Sequence, residues 1–208
     1  MSQSTHAEVM DHVHRDAVGA KIGMWLFLFT ELLLFGGMFL AYAVYRYQYR
    51  EFFTLASKEL DVLIGLINTI VLLTSSLTMA LSITALRKGN KKLSLLFIGF
   101  TILFALLFLV NKYFEWSAKY HHGIFPGAEQ LLNLSRGEII YFGLYFVMTG
   151  LHALHVIIGM IILIFMFVFV AKEKVNKDYY IMLENSGLYW HLVDIIWIFL
   201  FPLFYLIH

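Results

Sequence analysis

The chain has 208 residues, of which 61% are apolar or aromatic and 14% charged, against roughly 45–50% and 25% in an ordinary soluble domain. That composition excludes a water-soluble globule, and 15 Lys plus Arg against 14 Asp plus Glu leave a net charge of +1, too small for a nucleic-acid-binding surface. Cysteine is absent, which removes disulfides, thiolate chemistry, iron–sulfur ligation and cysteine-type zinc sites.

Residues 1–21 read as a polar arm without the basic start and apolar stretch of a secretory signal. Its His6, His12 and His14, like His121 and His122 further on, read as solvated histidines with at most adventitious metal affinity. Charged residues then punctuate five apolar segments, at about 22–45, 62–86, 93–114, 139–171 and 188–207. Because a spanning helix takes roughly 20 apolar residues, the chain is predicted to be all-α. Its single five-helix transmembrane domain runs over 22–208, and the 33-residue fourth segment is long enough to tilt or protrude. Lys and Arg number nine on the side of the N-terminus and six on the other, which predicts a cytoplasmic N-terminus and His208 outside.

Ionisable groups at bilayer depth are costly and need a reason. Glu31 lies mid-span with no cation within a helical turn, so it reads either as a protonated side chain bonded to a neighbouring helix or as a lipid-facing, proton-handling group. In the fourth segment Tyr141, Tyr145, Thr149, His152 and His155 recur at three- and four-residue steps and form one polar stripe. Its two histidines could share a metal or serve as interhelical hydrogen bonders. His191 and Asp194, also three apart, are expected to satisfy each other as a locked pair. Asn68, Ser75, Thr78 and Ser82 share a face of the second segment and read as close-packing residues. Lys112, Glu115, Trp116 and Trp190 are expected to be interfacial anchors, leaving Glu31 and Asp194 as the acids within the membrane.

The order of these features matters more than any one of them. Trp25, Phe27, Glu31 and Phe35 are followed by Asn68, Thr69, Leu72, Leu73, Ser75 and Ser76, then by Lys112, Glu115 and Trp116. Thr149, Gly150, His152, His155, Val156 and Gly159 come next, and Tyr189, Trp190, His191, Val193, Asp194 and Trp197 close the series. From Gly23 onward the chain resembles subunit III of the haem-copper respiratory oxidases, in the short bacterial form that lacks the first two of seven helices. The resemblance implies a multi-pass subunit of the bacterial inner membrane that has no catalytic residue and binds no cofactor or metal itself. Haem and copper would sit in partner subunits, and bound phospholipid would lie near Glu31. It further implies contact with subunit I foremost, then subunits II and IV, within a respiratory assembly that carries out aerobic electron transport and proton translocation. The family role is to steady subunit I and its proton uptake.

Whether the electron donor is cytochrome c or a quinol stays open. Two readings compete: a b-type cytochrome using His152, His155 and His191, whose depths match poorly for a haem, and a small transporter coupled through Glu31 and Asp194, for which no inverted repeat is visible.

Overall fold

The computed structural model describes the backbone of residues 2–207 and the side chains of residues 18–207. The arm histidines His6, His12 and His14, and the placement of His208, lie outside the described residues. Seven helices follow one another: α1 (Ser2–Gln48), α2 (Arg50–Ser57), α3 (Val62–Arg87), α4 (Lys91–His121), α5 (Glu129–Leu132), α6 (Arg136–Ala171) and α7 (Ile181–Tyr205). Among the described residues there is no strand. Five helices are long and apolar enough to cross a membrane: α3, α4, α6, α7 and the part of α1 from Val18 to Gln48.

The helices end where capping chemistry ends them, not where charges fall. Asp61 caps α3 by accepting from the Leu63 and Ile64 amides at 2.8 and 3.3 Å, and Asn90 caps α4 by accepting from the Leu93 amide at 3.1 Å. Ser135 and Glu138 close a capping box at the start of α6. Between α3 and α4, Gly89 takes φ +77°, so that the Asn90 amide reaches back to the Ala85 carbonyl at 2.9 Å. That is a Schellman stop, and it needs a residue free to adopt the left-handed region. The same stop ends α6 with Glu173 at φ 58°, a conformation rare outside glycine. A third such stop, with Gly123 at φ 67°, lets α4 run on to His121 where the sequence suggests an end near 114, and α7, without a side-chain cap, starts at Ile181, seven residues before the expected 188. Lys112, Glu115, Lys119 and Glu184 are all partnered within the bundle, so their charges interrupt nothing.

Helix α7 is the hub, packed against α1, α3 and α6, while α4 packs on α3 and α6. The small polar face of α3 is buried as the sequence suggests. Thr78 meets Thr101 of α4 at 2.8 Å, and Asn68 accepts from Asn111 at 2.9 Å, the close small-residue contact that apolar surroundings favour. Gly159 lets α7 approach α6, since a Cβ there would come within 2.9 Å of the Trp190 ring. Leu28, Phe35 and Tyr42, seven apart, are the side chains α1 buries among the described residues.

The far end of α7 is finished by other helices. Its last carbonyls have no intrahelical donor; Tyr42 of α1 donates to Leu203 and Tyr141 of α6 to Phe204 at 2.7 Å, while Ser57 of α2 donates to Ile207, two residues past the helix, at 2.6 Å.

Candidate functional site

The polar residues inside the spans fall into three groups. Near the end at which α4 and α7 finish, Lys112 is 2% exposed and spends its three donors on Glu115 Oε2 at 3.1 Å, Tyr145 Oη at 3.0 Å and Tyr205 Oη at 3.0 Å. Both tyrosines then donate to Glu115 Oε1, Tyr205 at 2.5 Å. Every proton of the ammonium and both carboxylate oxygens are matched in one closed ring. Trp116, Tyr145, Trp197 and Tyr205 surround the ammonium with their rings 5.0–5.7 Å away, so cation–π attraction adds to the ion pair. Lys119, one turn past Glu115, donates to the Glu59 carbonyl of the α2–α3 connection.

The four residues expected as interfacial anchors turn toward neighbouring helices. Lys112 lies nine residues inside α4 and faces α6 and α7, and Glu115 is a further buried acid, at the level of Tyr205, the last residue of α7. Trp190 is fully buried and donates to Ser75 Oγ at 2.8 Å. Trp116 lies in the α4–α6 seam against Phe146, with its indole nitrogen buried and lacking a partner among the described residues. The cause is common to all four: helices that continue past the expected boundary carry these side chains into the bundle.

The second group is the pair between α1 and α6. His155 Nε2 sits 2.9 Å from Glu31 Oε2, and its Nδ1 contacts the Leu151 carbonyl at 2.7 Å. The carbonyl fixes the proton on Nδ1 in the neutral ring, so Nε2 is the atom that can take or hold a proton toward the carboxylate. With side chains 10% and 15% exposed, the pair is open at the flank of the bundle. The partner absent from Glu31's own helix comes from a neighbouring one.

The third group lies along the α3–α7 seam. His191 Nδ1 contacts Ser76 Oγ at 2.6 Å, and Trp197 donates to Thr69 at 3.1 Å. Asp194 is 2% exposed, and neither of its oxygens has a partner among the described residues. The expected His191–Asp194 pair therefore does not form, because the imidazole turns toward the α3 hydroxyl. His152 does not join His155 at a shared site either. It is wedged between Phe108 and Trp197, ring centroids 5.5 and 5.3 Å away, with both nitrogens unpartnered among the described residues.

Tyr42, Ser57 and Tyr205 carry much of this architecture and were not singled out in the sequence. The available signal was a hydroxyl-bearing side chain inside or beside an apolar run, since a buried phenol is rarely left without a partner.

A family model described as Cytochrome c oxidase subunit III matches residues 3–208. A Staphylococcus saprophyticus protein named Probable quinol oxidase subunit 3 is 30% identical over 98% of this chain and 96% of its own. Cytochrome c oxidase subunit 3 of Thermostichus vulcanus is 29% identical over 99% and 96%. In Aeropyrum pernix the similar sequence, 33% identical over 90% of this chain, occupies 22% of a protein named Heme-copper oxidase subunit I+III.

Proposed function

Because the chain belongs to the cytochrome c oxidase subunit III family, we propose that it is a non-catalytic membrane subunit of a terminal cytochrome c oxidase, packed on subunit I and supporting that subunit's stability and proton uptake. The match across 3–208 carries the reading. The engagement of two of the three in-span histidines supports it: His155 is held by Glu31 and His191 by Ser76, which leaves no free pair for a bis-histidine haem. In this reading haem and copper belong to partner subunits, and the chain lies in a bacterial inner membrane with the α1 start in the cytoplasm, the side with more Lys and Arg.

The test is copurification. The chain should travel with a haem-bearing partner, show no haem α-band in a reduced-minus-oxidised spectrum when isolated, and lower the protons released per electron when deleted. A haem band from the isolated chain, or purification free of any haem protein, overturns the reading.

A quinol oxidase is the second reading, favoured by the Staphylococcus saprophyticus relative. Oxygen uptake by membranes with and without the chain, driven once by reduced cytochrome c and once by a quinol, separates the two. Glu31 and His155 are the proton-handling candidates. A hydrophobic carbodiimide should label Glu31 selectively, and Glu31→Gln should assemble normally with fewer protons released per electron. Loss of the subunit from the complex in that variant would make the pair structural instead.

A further inference from the structure

Asp194 has no part in the function proposed above. It is 2% exposed, and neither of its oxygens has a hydrogen bond among the described residues. An ion at that depth with no cation and no donor is costly, and a carboxyl relieves the cost by taking up a proton. The neighbouring side chains offer one route for that proton.

One turn earlier on α7, His191 is half-buried and lines a cavity of about 360 Å³ between α1, α3 and α7, at the end where Lys21 lies. Its Nδ1 is 2.6 Å from Ser76 Oγ, which leaves Nε2 for the cavity. Ser76 is also the hydroxyl facing the Asp194 carboxyl, with no hydrogen bond closed between them. The hydroxyls on either side are committed elsewhere. Ser75 accepts from Trp190 at 2.8 Å, while Thr69 accepts from Trp197 and gives its own proton to the Gly65 carbonyl at 2.8 Å. Helix α3 carries no ionisable side chain before Arg87. The charged groups at the cavity mouth are bound to one another, Lys21 and Arg87 both reaching Glu184, at 3.2 and 3.7 Å.

We propose that Asp194 stores one proton, exchanged with water on the Lys21 side through His191 and Ser76. On uptake a cavity water gives a proton to Nε2, Nδ1 passes its own to Ser76 Oγ, and the serine passes its own to an Asp194 oxygen. The carboxylate ends as the neutral acid, the new serine proton points to the bare Nδ1, and the imidazole ends as its other neutral tautomer. Release runs the same steps backwards. The relay stops at Asp194, because the next polar side chain along the seam is Trp197, whose indole donates and cannot accept, so the site is a store and not a channel. It is separate from the Glu31–His155 pair between α1 and α6, and it rests on the oxidase-subunit reading only for the complex in which it is measured.

Infrared spectroscopy of the purified oxidase complex, transferred from light to heavy water, gives the test. The carboxylic C=O band missing from Asp194→Asn belongs to Asp194, and it should move to lower frequency as its proton exchanges. Ser76→Ala and His191→Phe should each slow that shift about a hundredfold, the low end of what a positioned proton carrier contributes. Ser76→Thr, which restores the hydroxyl, should exchange at the parent rate, a rescue that a packing role alone does not give. A further arm touches no relay residue. The described residues include no cysteine and Ala80 lines the cavity, so a bulky neutral thiol reagent on Ala80→Cys should close the water entry and slow the shift as well. Exchange in Ser76→Ala as fast as in the parent overturns the proposal. So does a band that stays in place in heavy water, or an Asp194→Asn spectrum that lacks no carboxylic band. A chain that does not copurify with a haem partner counts against the oxidase reading; exchange at Asp194 that ignores Ser76 in an intact complex counts against this one.

Discussion

The end and the middle of α7 treat buried ionisable groups in opposite ways. At its far end Lys112, Glu115, Tyr145 and Tyr205 form a ring in which every hydrogen-bonding position is filled. Halfway along the same helix Asp194 is as deeply buried and has no partner among the described residues. Removing one member of a closed network strands the others in a medium without water, whereas changing a group that nothing answers strands nothing. Depth alone therefore says little about how much a buried ionisable residue holds together.

The ring should show the largest effect. Lys112→Met leaves Glu115 buried beside two phenols and should cost about 3–5 kcal/mol, seen as loss of the subunit from the complex or a collapsed melting temperature. The double variant Lys112→Met with Glu115→Leu should recover most of that loss, as apolar replacement of a whole buried pair often does. Failure to recover would mean the ring has a role beyond mutual neutralisation. Tyr141→Phe removes the donor to the Phe204 carbonyl and should cost about 1–2 kcal/mol through one unsatisfied buried acceptor, measurable as a moderate drop in thermal stability. Asp194→Asn should change stability by less than about 1 kcal/mol, within the range of substitutions that break no network; a loss comparable to Lys112→Met would erase the contrast.

The smallest effect lies outside the membrane. The Lys91 ammonium, 2.9 Å away, holds the Glu173 carboxyl below the usual glutamate range. A group whose folded-state pKa is lowered stabilises above its ordinary pKa and ceases to do so as pH falls through the lowered one. A slight loss of stability on acidification should therefore disappear in Glu173→Gly. That variant also relieves the positive φ at this position, so it should be no less stable than the parent at low pH.

Apolar periodicity, helix number and the family resemblance were legible in the sequence because they depend on composition and order along the chain. The contacts of Glu31 and His191 were not, because i, i+3 spacing gives a shared face but not which neighbouring helix faces it. His155 is 124 residues from Glu31, and Ser76 is 115 from His191. Lys112 and Glu115 misled for a related reason. A charge marks a boundary only if it must reach water, and Tyr145 and Tyr205 remove that need from two other helices. The small face of α3 was readable because a helix's own 3.6-residue repeat suffices to show it.

The caps on the last carbonyls of α7 bear on how the bundle is built. A chain made from its N-terminus places α1, α2 and α6 before α7, so the hydroxyls of Tyr42, Ser57 and Tyr141 stand ready before the carbonyls they will meet exist. During that interval they are unmet donors, and α7's arrival both quenches them and ends its own backbone. The end of α7 is thus fixed by donors from three helices that precede it in the chain, and its backbone is satisfied only once it has docked among them.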